Sequence, residues 1–315
     1  MDLSIIIVSR NTGEMLRRCL ASLSAGTGGL ACEVVVVDNA SRDGSADMVR
    51  TEFPRALLIE NDTNAGFGRA CNQGMARTTG EYALLLNADT QVVGTAIPTM
   101  VAFMRAHPEV GALGCRLLNT DGSFQASCRR FPTLRTEVWE RTGLSRLFPR
   151  SPLFAAYRMA GADFDQAQEV DQLMGACLLL RRAALEAVGT MDEGFFLYYE
   201  EVDLCFRLKQ AGWKIYYLPE AQVIHHGGQS SQQELGPALV ALTRSTERFF
   251  AKHYGWAAAL LLRLLTIVEM GWRLPYWAGV FLCAPSRRAE ASQWFRGYLR
   301  VLAVSLIPRT PQTEP

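Results

Sequence analysis

The chain has 315 residues, of which 49% are hydrophobic and 20% charged, and its formal net charge is +1 at pH 7. These values exclude an intrinsically disordered chain, and the length suits one large domain or one domain with an appendage. From Arg244 to the end, ten Arg or Lys residues stand against four Glu, so the C-terminal part is basic and the remainder is mildly acidic. Because these basic residues lie in an apolar tail, we do not expect nucleic-acid binding.

The cysteines indicate the compartment. None of the eight forms a C-x-x-C pair, and most lie inside apolar segments, which predicts buried, reduced thiols. The apolar run at residues 4–8 is too short for a signal peptide. We therefore expect a cytoplasmic protein.

Continuous apolar, β-branched runs predict strands that are buried on both faces of a parallel sheet. Such runs occur at residues 5–8 and 34–37, and further strands are predicted at residues 56–59, 82–86 and 110–118. Apolar residues at helical spacing predict helices between the strands, at residues 15–23, 46–53 and 90–104. This alternation predicts an α/β fold, and by itself it would also allow an NAD-dependent oxidoreductase.

Polar residues follow the first, second and fourth of these strands. Ligands of open α/β sheets bind at the carboxyl ends of the strands, so Asp38 lies where a nucleotide would bind. After the fourth strand, Asn87 and Ala88 lead to Asp89, where a carboxylate can hold a divalent metal against a diphosphate. The alternative is that Asp89 caps the helix predicted at 90–104.

A glycine-containing loop at residues 61–74 runs into a further predicted helix. Gly66 and Gly68 lack a third glycine three residues later, so the G-x-G-x-x-G dinucleotide fingerprint is absent. This absence counts against the oxidoreductase. The loop either contacts a ligand or is only a tight start to the helix.

An acidic cluster is the most informative feature of the sequence. An aromatic block at residues 195–199 is followed by Glu200, Glu201 and Asp203, which begin a predicted amphipathic helix. A general base beside a sugar site would need such a carboxylate. The alternative is a charged first helical turn, which the helix dipole favours without any function.

Two adjacent histidines close the same stretch. A predicted strand at residues 213–218, ended by Pro219, leads to His225 and His226. A histidine at the end of a strand can be a metal ligand. Of two neighbouring histidines, one usually points away from a site.

The remaining segments are less specific. Residues 129–168, with several Pro and Arg, predict an insertion or flap over the site. A helix is predicted at 237–254, followed by an apolar segment at 256–283 that Arg263, Glu269 and Arg273 interrupt and Pro275 breaks. This segment is too interrupted to span a membrane, so it either lies on a membrane surface or packs on its own domain or on a second subunit.

Taken together, these motifs resemble the inverting family 2 glycosyltransferases of the GT-A fold, and within them the bacterial rhamnosyltransferase-like branch. The resemblance covers residues 4–231. The motifs are SIIIVSRN, VVVVDNASRDGS, NAGFGRACNQG, LLLNADT, GACLLLRR, FFLYYEEVDLCFRLKQAGW and PEAQVIHHGG.

The resemblance implies a Rossmann-like nucleotide-diphospho-sugar transferase fold. Its mixed, mostly parallel sheet would be flanked by helices. The transferase domain would occupy residues 1–235, and residues 236–315 would form a helical, apolar and basic extension.

The resemblance also implies the residues of the donor site. Asp38 matches the acidic residue that contacts the base and ribose. The other positions that the resemblance assigns to the nucleotide sugar are Ser9, Asn11, Asn64, Gly66, Gly68, Asn72 and Asn87. Asp89 matches the carboxylate that coordinates Mg²⁺ or Mn²⁺, and His225 matches an additional metal ligand.

Glu201 falls at the position of the catalytic base, with Glu200 and Asp203 as alternatives. Two residues depart from the pattern of the branch: Asn87 stands at the first position of the D-x-D motif, and Glu201 stands where Asp is usual. These departures keep open a second hypothesis, a non-catalytic binding or scaffold protein on a decayed transferase fold.

The implied activity is an inverting, metal-assisted transfer from a nucleotide sugar. We first expect dTDP-rhamnose as the donor, with UDP- and GDP-sugars left open. The acceptor would be a saccharide or a polyprenyl-linked saccharide at the inner face of the cell membrane. The sequence leaves peripheral membrane contact through the tail and a homo-oligomer open.

Overall fold

The computed structural model describes residues 1–227 and 235–307, except for the side chains of Ser24 and Ala25. Gly228 of the last motif, the linker around residues 229–231 and the tail from residue 308 lie outside the described residues. The chain divides into two compact units. The first unit comprises Met1–Phe131, Gly161–Phe196 and Glu200–Ser230, and the second comprises Pro132–Ala160, Leu197–Tyr199 and Ser231–Pro315.

The strands and helices alternate through most of the first unit. The strands are β1 (Leu3–Ser9), β2 (Cys32–Asp38), β3 (Leu57–Glu60), β4 (Tyr82–Asn87), β5 (Thr90–Val92), β6 (Val110–Leu118), β7 (Phe124–Gln125), β8 (Cys128–Arg129), β9 (Gln168–Glu169), β10 (Gln172–Leu173), β11 (Cys177–Arg181) and β12 (Lys214–His225). The helices of this unit are α1 (Gly13–Gly26), α2 (Ser45–Glu52), α3 (Phe67–Met75), α4 (Ala96–Ala106), α7 (Arg182–Val188) and α8 (Glu200–Gln210).

The main sheet has the order β3-β2-β1-β4-β11-β6-β12-β5, with β7 paired to β6 and β9 paired to β12. The first four strands are parallel to one another, whereas β11 and β5 are antiparallel to their neighbours. The predicted α/β fold with a mixed, mostly parallel sheet is confirmed. The apolar residues of β1, β4 and β6 are almost completely buried, as expected for strands covered on both faces.

Strand register brings the polar strand ends to one edge of the sheet. Ser9 pairs with Asp38, and Val8 pairs with Asn87 on the opposite side of β1. Parallel strands end at the same edge, so three residues predicted from distant motifs reach one place.

Two predicted elements are wrong. The helix predicted at 90–104 begins only at Ala96, because Thr90–Val92 pairs with β12 as an edge strand. Asp89 therefore caps no helix. The strand predicted to end at Pro219 continues to His225, because Pro219 lies in an irregularity between Leu218 and Gln222 where the register shifts.

The cysteines are all free. Six are buried, Cys32 is half-buried and Cys283 is exposed. Burial raises the pKa of Cys19 and Cys205 to about 12 and that of Cys128 to about 11. These buried thiols therefore remain protonated at neutral pH.

In the described residues of the second unit, the regular elements are helices, and they are joined by turns. Its helices are α5 (Leu134–Thr142), α6 (Leu144–Leu147), α9 (Leu235–Tyr254), α10 (Trp256–Cys283) and α11 (Arg288–Leu306), with a short 3-10 helix at Pro285–Arg287. The predicted break at Pro275 is wrong, since α10 continues through it. Pro275 lies on the exposed side of this helix, where the loss of one backbone hydrogen bond is tolerated.

Buried ion pairs connect the helices of the second unit. Arg141 of α5 donates to Glu137 over 3.1 Å and to Glu269 of α10 over 2.7 Å. Glu269 also accepts from Arg273 over 2.7 Å, and the Tyr199 hydroxyl donates to Glu137 over 3.3 Å. Burial raises the pKa of Glu137 despite the neighbouring Arg141. The network therefore depends on Arg141 to balance two buried carboxylates.

Candidate active site

Asp38 lies at the end of β2 and is only 5% exposed. Its Oδ2 accepts a hydrogen bond from the backbone N–H of Ser41 over 3.1 Å. Its Oδ1 is buried and has no hydrogen-bond partner among the described residues. A buried acceptor of this kind is costly unless a ligand supplies a donor.

Ser9 and Asn11 organise the loop that follows β1. The Ser9 hydroxyl is 3.0 Å from the Thr12 hydroxyl. Asn11 adopts a positive φ of 52°, and its side-chain oxygen accepts from the Arg42 N–H over 2.8 Å. The Asn11 contact therefore ties the loop after β1 to the loop after β2, which begins at Asp38.

An asparagine network supports the glycine loop. Asn39 donates to the side-chain oxygen of Asn64 over 2.8 Å and accepts from the N–H of Ala65 over 2.9 Å. The Asn64 oxygen also accepts from the Gly66 N–H over 3.1 Å. Sequence reasoning missed Asn39, although its position directly after a strand-end aspartate was the available signal.

Gly66 allows a close approach that any side chain would prevent. Its φ is 84°, and a Cβ atom there would lie 2.5 Å from the carbonyl oxygen of Phe196. The adjacent Phe67 N–H donates to the same oxygen over 2.9 Å. The start of α3 is thereby fixed against the aromatic segment before the acidic cluster.

Gly68 meets the acidic cluster directly. A Cβ atom at Gly68 would lie 3.5 Å from the Cβ of Glu200, which is ordinary van der Waals contact.

Asn72 lies one turn further along α3 and contacts a different segment. Its amide donates to the Met191 carbonyl and to Glu193, and its oxygen accepts from the Met191 N–H. Its hydrogen bonds therefore hold the segment around residue 191.

The apolar segment around Gly175 joins the remaining motifs. The Asn87 N–H donates to the Ala176 carbonyl over 3.0 Å, which holds this segment at the end of β4. A Cβ atom at Gly175 would lie 3.7 Å from the Cβ of Glu201 and 3.8 Å from the Phe67 ring. Residues from the LLLNADT, NAGFG, GAC and EEVD motifs thus meet in one region of the first unit.

The acidic cluster forms the first turn of α8. The two preceding residues, Tyr198 and Tyr199, have φ values of 66° and 69°, so the helix begins after a strained turn. Glu200 is 3% exposed. Its burial, and then the charge of Glu201, raise its pKa well above the ordinary value. Glu201 is half-buried, so its side chain is more exposed than that of Glu200, and the Oε2 atom of each residue is buried.

Asp203 has a structural environment. Its side chain is completely buried, and its Oδ2 accepts from Arg207 over 2.8 Å. The same guanidinium donates to the carbonyls of Val188, Gly189 and Thr190. This arrangement holds α8 against the end of α7.

Asp89 and His225 are adjacent because β5 pairs with β12. Thr90 pairs with His225 in antiparallel register, and the His226 N–H donates to the Asp89 carbonyl over 2.9 Å. The Oδ1 of Asp89 lies 3.4 Å from the Nε2 of His225, with side-chain exposures of 10% and 7%. The ring of His226 turns to Gln91 instead.

Gln125, which sequence reasoning missed, fixes the tautomer of His225. Its amide nitrogen donates to the His225 carbonyl over 3.3 Å and to Asn119 over 2.9 Å. Its oxygen therefore faces the Nδ1 of His225 at 2.6 Å, and this ring nitrogen must be the donor. In the neutral imidazole, the Nε2 lone pair then faces the carboxylate of Asp89.

Two acceptors that face each other suit a cation between them. Adjacent ligands around an octahedral ion stand ~3 Å apart, close to the separation of Asp89 and His225. Within the described residues, no group of three or more His, Cys, Asp or Glu could hold a metal ion. A metal here would therefore take its other ligands from water and substrate. The Asp89 carboxylate suits Mg²⁺ or Mn²⁺, and the imidazole nitrogen of His225 suits Mn²⁺ better than Mg²⁺.

Comparisons with known proteins show which family this chain resembles. The family model described as glycosyl transferase family 2 matches residues 4–189. The N-acetylglucosaminyl-diphospho-decaprenol L-rhamnosyltransferase of Mycobacterium tuberculosis is 34% identical over 271 residues, which cover 82% of this chain and 87% of that protein. The rhamnosyltransferase WbbL of Escherichia coli is 32% identical over 258 residues, covering 79% and 92%.

Solved structures share the fold. The mannosyltransferase PcManGT from Pyrobaculum calidifontis, in complex with GDP-Man and Mn²⁺, aligns with a TM-score of 0.55 and 17% identity over 96% of this chain and 86% of its own. GalNAc-T7 with UDP, GalNAc and Mn²⁺ aligns with a TM-score of 0.54 and 16% identity over 80% of this chain and 50% of its own.

Proposed function

The chain belongs to glycosyl transferase family 2 and is a glycosyltransferase, and we propose that it transfers L-rhamnose from dTDP-rhamnose with inversion at the anomeric carbon. Two relatives that cover most of this chain are rhamnosyltransferases, which supports rhamnose as the sugar. Family membership also removes the oxidoreductase alternative. UDP- and GDP-sugars are the competing donors.

The proposed acceptor is a polyprenyl-diphosphate-linked saccharide at the inner face of the cell membrane. The mycobacterial relative is named for a diphospho-decaprenol-linked N-acetylglucosamine, and it matches this chain over 82% of its length. No described helix is both long and apolar enough to cross a bilayer. Under this proposal, the enzyme would therefore meet its acceptor from the aqueous side, at the membrane surface.

The observation that carries the proposed chemistry is the facing pair of Asp89 and His225. Their acceptor atoms lie 3.4 Å apart, next to the strand ends where a nucleotide diphosphate would bind. We propose that they hold Mg²⁺ or Mn²⁺, which would neutralise the charge of the leaving diphosphate. Asp38, with its unsatisfied buried oxygen, is the proposed contact to the nucleoside.

We assign Glu201 as the general base that removes the proton of the acceptor hydroxyl. It lies beside Gly175 at the junction of the motifs and is more exposed than Glu200. Burial, and then the charge of Glu201, raise the pKa of Glu200 and disfavour its charged form, so we assign the negative charge of the pair to Glu201. Asp203 receives no catalytic role, because its carboxylate is buried against Arg207.

Two measurements on the same samples test the proposal. Thermal stabilisation by dTDP-rhamnose with Mn²⁺ should reach ~2.7 kcal/mol at 100 times Kd, and Asp89→Ala should lose its metal-dependent part. Transfer at saturating donor should fall ~10²-fold or more in Glu201→Gln while donor binding persists. Glu186→Gln, an exposed glutamate on α7, is the matched control and should transfer normally.

Other results would contradict individual assignments. If only UDP- or GDP-sugars stabilised the protein, dTDP-rhamnose would not be the donor. Stabilisation that does not depend on the metal would refute the role of Asp89 and His225. Normal transfer by Glu201→Gln would refute the base. Donor binding without transfer by the wild-type enzyme to any polyprenyl-linked saccharide would favour the scaffold hypothesis.

A further inference from the structure

The outer face of α10 is apolar over its whole length. Large hydrophobic side chains repeat on it every four residues, each between 45% and 73% exposed: Trp256, Leu260, Leu264, Val268, Trp272 and Tyr276. In this helix, whose 28 residues are all described, every exposed residue is uncharged. Solvent-exposed helix faces normally carry charged and polar residues, so this face is built for an apolar environment.

The charged residues of α10 point the other way. Arg263 pairs with Glu247 of α9 over 2.9 Å, and Glu269 and Arg273 pair with each other over 2.7 Å. The Glu269 side chain is 8% exposed and that of Arg263 is 18% exposed. Buried ion pairs are costly to form. In α10 the charged side chains therefore face the protein and the apolar side chains face outward, whereas a helix in water favours the opposite.

The width of the face argues for a surface rather than a single partner helix. Between Trp256 and Tyr276, the exposed positions cover an arc of about 200° around the helix axis. Along the axis they extend over ~30 Å. A helix pair buries only a narrow stripe of two positions in seven. A planar apolar layer, in which the helix lies sideways, covers such a broad face more completely.

The C-terminal end of this face is basic. The guanidinium of Arg288 lies 5.9 Å from the exposed Phe281 ring and donates to the Phe281 carbonyl over 3.1 Å. Arg287 lies 5.7 Å from the Trp277 ring and pairs with Glu290. An apolar face with Trp, Tyr and an adjoining Arg matches the boundary between acyl chains and anionic headgroups.

We propose that the outer face of α10 binds an anionic phospholipid bilayer, with the helix parallel to the membrane surface. Its apolar side chains would enter the headgroup and acyl boundary, while its buried ion pairs stay within the second unit. The surface is inferred from this helix alone, and its biological purpose rests on the proposed lipid-linked acceptor.

The test is co-sedimentation of the full chain with vesicles of phosphatidylcholine, with and without phosphatidylglycerol. The wild type should bind the anionic vesicles, and Leu264→Gln with Val268→Gln should weaken binding ~10-fold or more, because two inserted apolar side chains are lost. Arg288→Gln should weaken it ~5-fold and reduce its salt dependence. The matched control replaces two exposed apolar residues of the first unit, Leu57→Gln with Val93→Gln, and should bind like the wild type.

A second measurement is independent of these variants. Tryptophan fluorescence of the wild type should be quenched by vesicles with brominated acyl chains, and Trp272→Phe should reduce the quenching. Equal vesicle binding by the wild type and the α10 variant would overturn the proposal. So would a wild type that ignores vesicles and forms a dimer that the α10 variant abolishes. Transfer to a short-chain soluble acceptor, measured in parallel, separates a failure of this surface from a failure of the proposed enzymatic activity.

Discussion

A single methyl group at Gly66 should destabilise the first unit strongly. In Gly66→Ala the new Cβ would lie 2.5 Å from the Phe196 carbonyl oxygen and 2.9 Å from its ring, at a φ of 84° that side chains rarely adopt. Backbone strain of this kind costs ~1–3 kcal/mol, and loss of the Phe67 hydrogen bond to Phe196 adds ~1 kcal/mol. We expect a loss of about 2–4 kcal/mol in unfolding free energy.

Gly68→Ala is the matched control, two residues away in the same loop. Its Cβ would make only ordinary van der Waals contacts, with the Cβ atoms of Glu200 and Met191 at 3.5 Å and the Phe195 carbonyl oxygen at 3.6 Å, and it lies inside α3, where alanine is favoured over glycine by ~1 kcal/mol. In scanning calorimetry, Gly66→Ala should therefore unfold at a midpoint roughly 4–16 °C below that of the wild type. The midpoint of Gly68→Ala should equal that of the wild type or exceed it. Equal midpoints for the two variants would refute the role of Gly66 as a close-approach position.

Two further predictions concern buried charge. Because the folded-state pKa of Glu200 is raised above its unfolded value, its contribution to stability is present below the unfolded pKa, near ~4.3, and is lost as pH rises towards the folded value. Glu200→Gln should therefore melt higher than the wild type at pH 8 but not at pH 4, and a pH-independent difference would contradict this. Arg141→Met, which leaves Glu137 and Glu269 buried without their shared cation, should cost about 3–5 kcal/mol in chemical denaturation. The exposed Arg17→Met should cost at most ~1 kcal/mol, and a similar loss for both arginines would refute the argument.

The central strands could be predicted from the sequence because burial on both faces leaves a local signal. The runs at 5–8, 34–37 and 82–86 contain apolar residues that only a covered strand accommodates, and each was found within two residues of its observed ends. The sequence also predicts Asp89 and His225 as metal ligands, but it could not show that strand pairing places them side by side.

The features that the sequence could not predict depend on contacts between segments that are distant in the chain. Thr90–Val92 is too short to be distinguished from the helix that follows, and only its ladder with β12 makes it a strand. Gln125 lies in a two-residue strand without a motif, yet it decides which nitrogen of His225 is free. The charges of α10 were read as interruptions of an apolar run, because their inward direction exists only in the folded unit.

The thiols of this chain also provide a reporter. Cys283 ends α10 and is the one exposed cysteine among the eight, all of which lie in described residues. Thiolates react with maleimides and thiols do not, so the buried cysteines with raised pKa values are protected in the folded state. A fluorophore or spin label can therefore be placed at the end of the outer face of α10, and depth in a bilayer can be read there once the half-buried Cys32 is replaced.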